Sequence, residues 1–516
     1  MGPGLVRGLG QLDATMIIVG TLIGSGIFIV SAESARLVGA PGWLLAVWLL
    51  AGVMTVTGAQ CCAELAAMMP RAGGQYVFLR EAYGPGVAFA FGWAFFLIIL
   101  TGKLAAVAIA FASFTGVLIA WVSPANFIVE PVVFGRYAVS LSTQQLVAIL
   151  SIVALTVVNT RGLKAGKLVQ NTLGFIKTGA LAGLMILGLS LGWNLRSAAF
   201  TSSWWNSWAN GWTPQQARPD LGVSGELALV ALLGLAMVGP IFSQSGWNNV
   251  TFAGGEVRQP ERNLPAALFK GAAIVVALFL LTNLAYVVTL PLGEIQRAPQ
   301  NRVGTVLMQA IIGPPGAVIM AAAIMLSTFG PINGLILGGA RVFYARACDR
   351  LFFARVGAVN AHHVPAAALV TQCVWASLLT LPRTATIDAT TGALTYGNVY
   401  TQLLEYAIPA DLVFYGLMTG AVIVLRRKAP GAERPYRTVG YPVTPLIYIS
   451  VAALLIVDLA YLAPATSGIG YLLALSGIPV YLIWRGRSDQ RVALEGVVEV
   501  QRGDATGSIE RKGTLP

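Results

Sequence analysis

Charge is what this sequence has least of. Asp, Glu, Lys and Arg make up 10% of its 516 residues, against about a quarter in an ordinary soluble domain. Water cannot solvate such a surface, so a soluble globular protein is excluded and lipid becomes the expected surroundings. Histidine is nearly missing. The two present, His362 and His363, are adjacent, and two neighbouring imidazoles without further ligands make a poor metal site. No metal or other cofactor is therefore expected. Cysteine is as sparse, limited to Cys61, Cys62, Cys348 and Cys373. None falls in an expected outer loop, Cys348 being in an inner one, which excludes an extracellular disulfide framework. There is no Asp-rich motif and no His-Glu-x-x-His, which argues against a membrane enzyme built on a metal. No cleavable signal peptide is expected either, because the first apolar stretch is long and carries Glu33 and Arg36 near its far end.

What is abundant is apolar surface. Hydrophobic residues make up 56% of the chain, and the mean hydropathy is +0.74. The apolar residues gather into twelve stretches, near 14–37, 42–66, 86–121, 143–160, 168–191, 224–252, 264–291, 315–344, 365–382, 400–425, 442–463 and 468–484. A helix crossing a hydrocarbon core of about 30 Å needs roughly 20 such residues, so the fold expected is an all-α integral membrane protein of twelve spans. The net charge of +12 would suit a nucleic-acid binder, but its distribution does not. With the amino terminus inside and the spans alternating, 24 of the 33 Lys and Arg residues fall in inner segments and 6 in outer ones. By the positive-inside rule both termini are cytoplasmic. The basic balance is thus a topology signal, and the lipid bilayer, with no nucleic acid, is the expected partner. Residues 1–485 form one transmembrane domain, and 486–516, polar and aperiodic, read as a flexible cytoplasmic tail.

Two of the spans look interrupted. The first reads Gly20-Thr21-Leu22-Ile23-Gly24-Ser25-Gly26-Ile27-Phe28, and the sixth reads Gly239-Pro240-Ile241-Phe242-Ser243-Gln244-Ser245-Gly246-Trp247-Asn248-Asn249. Gly and Pro weaken or remove helical hydrogen bonds. At membrane depth, freed N–H and C=O groups survive only against protein or a watery cavity. Half-helix amino termini then offer partial positive charge to an anion, and carboxyl termini offer carbonyls to a cation. A free amino acid presents both charges. For one glycine run, close packing of two helices is an equal explanation. Interruptions five spans apart instead mark a transporter site between two inverted halves, about 12–191 and 222–426, with 442–484 supplying two further spans.

These residues resemble the amino acid–polyamine–organocation superfamily. Ile23 to Phe28 is similar to its first-helix signature. Pro70-Arg71-Ala72-Gly73-Gly74-Gln75-Tyr76, running on to Pro85, is similar to its first cytoplasmic loop. Phe242 to Asn248, with Glu256 and Pro260 to Pro265, resembles the sixth helix of L-type amino acid transporters. Arg341 to Asp349, Arg434-Pro435-Tyr436 and Gly440 to Pro445 continue the likeness, which covers roughly 10–485. It implies a leucine-transporter-like fold of five plus five inverted helices with helices 1 and 6 broken. It implies secondary active transport of amino acids by alternating access, as exchange or proton-linked uptake. By motif position, the backbone at Ser25 and Gly26 would hold the substrate carboxylate. Carbonyls near Ile23, Phe242, Ser243 and Ser245 would take the amino group, and Phe242 would be the aromatic lid. Lys177 matches the family's fifth-helix lysine, which faces the break in helix 1. A mid-span lysine costs about 2.5–3.5 kcal/mol to insert, so it is expected to face the bundle interior. Its charge would replace a sodium ion, so sodium-independent transport of neutral amino acids is expected.

Lys103, midway along the third span, is a departure. It is either a structural partner of Glu405 or Asp411, the preferred reading, or a pocket residue favouring acidic or polar substrates. Asp411 is a proton-relay candidate or the mate of a lysine. Asp13 reads as a helix N-cap, Glu64 as a solvated end residue, and Trp204, Trp205, Trp208 and Trp212 as an interfacial belt. Cys61 and Cys62 read as small packing residues. Eukaryotic L-type transporters join a glycoprotein through a cysteine in the outer loop after helix 3. The segment 123–142 has none, so no disulfide-linked heavy chain is expected, and the state is a monomer or weak homo-oligomer. The alternatives are an amine, polyamine or cationic amino acid carrier, which would want acids at the pocket. A channel is disfavoured because no repeated filter sequence is present.

Overall fold

The computed structural model describes residues 9–70, 73–161, 163–201, 203–218, 221–348, 364–387 and 394–484. Arg71, His362, His363, Asp349 and the segment 486–516 lie outside the described residues, as do the side chains of Glu256, Arg341 and Cys348. Nine described helices are long and apolar enough to cross a bilayer, and a tenth candidate is a bent pair, Gln11–Leu22 with Gly26–Val38, turned by 46°. The fifth expected span is the 29-residue helix Leu163–Leu191. The ninth, Ala366–Leu379, has only 14 residues.

The chain starts and stops these helices by ordinary local chemistry. Proline opens Pro41–Met68, Pro85–Ala94, Pro260–Thr289 and Pro464–Leu475, where its missing N–H costs nothing. Gly39, in the left-handed region at φ 66°, ends Gly26–Val38. Asn398 Oδ1 accepts from the N–H groups of Tyr400 and Thr401 to start Val399–Lys428, which ends in Arg426, Arg427 and Lys428. Asp13 is not the N-cap it was expected to be. Gly10 occupies that place, and Asp13, three residues on, accepts from the Gly10 N–H at 2.9 Å.

The third span is not a plain helix. A π-helical turn, Phe95–Ile99, widens it, and Thr101 Oγ1 donates to the Phe96 carbonyl five residues back. A four-stranded antiparallel sheet, which the all-α expectation did not contain, covers one end of the bundle. It comprises β1 (Phe127–Phe134), β2 (Tyr137–Ser142), β3 (Pro382–Ile387) and β4 (Leu394–Tyr396), in that spatial order. Gly135, at φ 63°, lets the β1–β2 hairpin turn within two residues. β2 pairs with β3, joining the loop after the third span to the loop after the ninth.

The opposite end is closed by polar contacts. Glu64 is 1% exposed rather than solvated. It accepts from Arg426 through both oxygens at 2.8 Å and from the Thr438 N–H at 2.7 Å. A buried carboxylate needs such partners. Arg346, fully buried, donates to the Gly92 carbonyl at 2.6 Å. Leu9 forms a parallel bridge with Val257, and the Arg258 N–H donates to the Leu9 carbonyl.

The tryptophan-rich segment clamps the end of the first span. Trp205 and Trp208 are exposed, but Trp212 is 5% exposed and donates through Nε1 to the Arg36 carbonyl. Ser207 donates to the Val38 carbonyl. A Cβ on Gly39 would stand 2.2 Å from the Trp212 ring, so glycine is required there for space as well as for φ.

Candidate functional site

Both interruptions are present, side by side in the core. In the first span the regular ladder ends where the Ile23 N–H reaches the Val19 carbonyl, and it restarts at Gly26. Gly24 and Ser25 lie between the two helices. In the sixth span, Gly225–Ala236 continues as Val238–Ser243 and then stops. Gly246 takes φ 100°, a conformation that L side chains resist, and a 3-10 segment, Trp247–Glu256, follows. The remaining bonds are short-range, Ser245 N–H to Phe242 O and Asn249 N–H to Gly246 O.

The two broken spans touch at Gly26. A Cβ there would stand 2.1 Å from Ser243 Oγ and 2.9 Å from Ser243 Cβ. Close packing, the structural explanation for this glycine, is therefore real, and it coexists with the break. Ser243 Oγ donates to the Gly239 carbonyl at 2.9 Å. One expectation needs correction. The Phe242 carbonyl, a candidate for the substrate's amino group, already accepts from both the N–H and the Oγ of Ser245, at 3.0 and 2.8 Å. Both lone pairs are engaged, so in this conformation it is the least available of the proposed acceptors.

Two polar atoms beside the breaks face each other. Ser25 Oγ and Tyr400 Oη are buried, make no hydrogen bond of good geometry, and lie close enough to interact with one another. A loose pairing of this kind is readily exchanged for a polar ligand. Tyr400 stands edge-on to the Phe242 ring, with centroids 5.9 Å apart and planes at 87°. Phe242 is 8% exposed. The Tyr400 side chain was not singled out in the sequence, where it is one apolar-aromatic residue near the start of an apolar run.

Lys177 is 1% exposed and donates from Nζ to the Gly20 carbonyl. It therefore meets the first span one turn ahead of the break rather than within it. Lys103 pairs with Asp411 at 2.5 Å, both largely buried, one of the two acidic partners named for it from the sequence. Glu405 is not its mate and accepts instead from Thr466 Oγ1 at 2.6 Å. Lys103 Nζ also lies 5.8 Å from the Tyr415 ring centroid. Tyr415 stacks on Trp247, just past the sixth-span break, and donates to Asn248 Oδ1 at 3.1 Å. Asn248 in turn donates to Gln75 Oε1 at 2.8 Å. The polar run through Asn248 was visible in the sequence, but its partners on other spans were not.

Nothing at this site has the geometry of a hydrolase. The sequence does hold one Gly-x-Ser-x-Gly spacing, Gly188 to Gly192. Its Ser190 is helical and donates to the Ile186 carbonyl at 2.6 Å, which is not a strained nucleophile turn.

Comparison with known proteins gives the same direction. The large neutral amino acids transporter small subunit 2 of Homo sapiens is 28% identical over 98% of this chain and 88% of its own length. The serine/threonine exchanger SteT of Bacillus subtilis is 26% identical over 93% of this chain and 97% of its own. The Asc-type amino acid transporter 1 of Homo sapiens is 26% identical over 94% and 84% respectively. The sequence profile of the amino acid permeases matches residues 9–484. With two broken spans joined at Gly26 and Ser243 and a match over nearly its whole length, the chain belongs to the amino acid permease family, within the amino acid–polyamine–organocation superfamily: it is a multi-pass membrane transporter and not an enzyme.

Proposed function

We propose that the protein exchanges neutral amino acids across the plasma membrane by alternating access, without sodium. The observation that carries this reading is the pair of breaks at Ile23–Gly26 and Gln244–Gly246, with the buried Ser25 and Tyr400 hydroxyls beside them. A helix start supplies N–H groups for a carboxylate, and the ends of the preceding half-helices supply carbonyls for an ammonium group. In this reading Ser25 and Gly26 hold the carboxylate. Ile23 and Ser243 offer carbonyls to the amino group, with Ser245 beside them, and Phe242 with Tyr400 closes over the substrate. Lys177, fixed on Gly20, occupies a position where a cation would otherwise steady the first span. Relatives named for large neutral amino acids and for serine and threonine favour uncharged substrates.

The second span packs along the seventh and the third along the eighth, as equivalent helices of a five-plus-five repeat would. This supports the twelve-span inverted repeat, with the termini and the Glu64–Arg426 end on the cytoplasmic side and the sheet outside. Asp411 is engaged by Lys103, which removes the acid that an amine or polyamine carrier would offer its substrate. The outer hairpin 127–142 contains no cysteine, so no disulfide-linked heavy chain is proposed. The test is reconstitution of the purified protein in liposomes preloaded with amino acids, with each of the twenty supplied outside. Saturable uptake of neutral species, accelerated by internal substrate, is expected. Uptake of amines only, or flux that never saturates, would overturn the proposal.

A further inference from the structure

A sizeable cavity lies away from the breaks. It lies on the sheet side of Tyr400, with a volume of about 340 Å³, within the range of small-molecule sites. Its lining includes Tyr400, which stands against Phe242 of the central site, and Ser113, Gln144, Gln300 and Arg383. Among the described residues no acid lines it.

Arg383, on β3, is 3% exposed, yet its Nε has no hydrogen-bond partner and it joins none of the described ion pairs. Its guanidinium carbon lies 5.5 Å from the Phe127 ring centroid and 5.8 Å from that of Tyr396, beside a pair of rings set edge to face. Such ring contacts use none of the in-plane N–H donors, which remain able to grip a carboxylate in bidentate fashion. The other polar groups are already organised. Gln144 Nε2 and Ser113 Oγ both donate to Gln300 Oε1 at 3.0 Å, which leaves that acceptor engaged, and among the described residues no acidic side chain pairs with the arginine. Burying an unpaired cation is costly, and an incoming carboxylate would relieve that cost.

We propose that this vestibule is a second holding site for the amino acid substrate, gripped by its carboxylate at Arg383 before it passes Tyr400. The inference rests on the amino acid transport reading and goes beyond it by adding a specificity-determining residue outside the central pocket. It demands a free carboxylate on the substrate at two successive stations. The substrate side chain is left in a chamber of mixed polar and apolar wall, so this station selects for the carboxylate more than for the side chain.

Two measurements test it. In liposomes, with L-serine or L-leucine as probe, Arg383→Gln should raise KM about tenfold with little change in kcat, the loss of roughly one charge-assisted contact. Arg383→Lys should fall between. The second measurement bypasses the central site. Ala125, exposed and on the cavity wall, is changed to cysteine in a Phe242→Ala background and labelled with a methanethiosulfonate reagent. Millimolar L-serine should slow labelling, L-serine amide should not, and Arg383→Gln should abolish the protection. Absence of protection with Arg383 intact, or protection unchanged in Arg383→Gln, refutes the vestibule site while leaving transport itself standing. If the wild type exchanges no amino acid at all, the transport reading falls first, and this inference with it.

Discussion

Lys103 Nζ stands 2.5 Å from Asp411 Oδ2, joining the third span to the tenth deep in the bundle. The pair also reaches the sixth-span break, because Tyr415 lies between Lys103 and Trp247. Removing either partner strands a charge in an apolar interior, at a cost of about 3–5 kcal/mol. Lys103→Met and Asp411→Leu should each lower the thermal midpoint in detergent sharply, and the double variant should recover most of that loss. Single variants as stable as wild type would show that the charges are not coupled.

Gly26 and Ser243 make the closest approach between the broken spans. Gly26→Ala would drive a methyl group into Ser243, and the cores of such bundles do not yield freely. Exchange should be abolished in Gly26→Ala and partly restored by adding Ser243→Gly, which removes the two nearest atoms. No restoration would mean that the glycine serves through its backbone alone.

Phe242→Ala should abolish uptake. Losing a large core ring also costs about 3–5 kcal/mol, so Phe242→Leu is the cleaner variant. It should remain folded by size exclusion and still lose most of its transport. Tyr400→Phe keeps the ring against Phe242 and removes only the hydroxyl that faces Ser25 Oγ, so a raised KM at near-normal kcat is expected. Equal kinetics in Tyr400→Phe would take that hydroxyl out of the site.

Lys177 donates to the Gly20 carbonyl, and its charge is the proposed stand-in for sodium. Wild-type exchange should be indifferent to replacing sodium with choline. Lys177→Met should slow turnover and loosen the first span, measured as faster hydrogen exchange at Gly20 to Ile23. Strong sodium dependence in the wild type would contradict the assignment.

How far the sequence could be read follows from the range of each signal. The breaks were legible because Gly24, Gly26, Pro240 and Gly246 act on their own backbone, within a turn. The burial of Lys177 was legible from the cost of a charge at mid-span. Its precise partner was not, because one sequence does not say which way a helix face points. Lys103 had two possible mates, and only packing separated Asp411 from Glu405, which turns to Thr466. Glu64 was misread as solvated because its partners Arg426 and Thr438 lie hundreds of residues away. The sheet was missed in part for the same reason, because β3 reaches β2 from beyond the ninth span. The β1–β2 hairpin is local, but its pairing is irregular and Pro131 interrupts the run 129–133.

That β2–β3 seam has a mechanical corollary. Two loops stitched by backbone bonds must travel as one plate, so the hairpin at 127–142 and the strand at 382–387 should shift together during each transport cycle. A nanobody raised against the plate would report one rigid epitope. If it seated across the rim by Arg383, it would stop the cycle without touching the substrate pocket below.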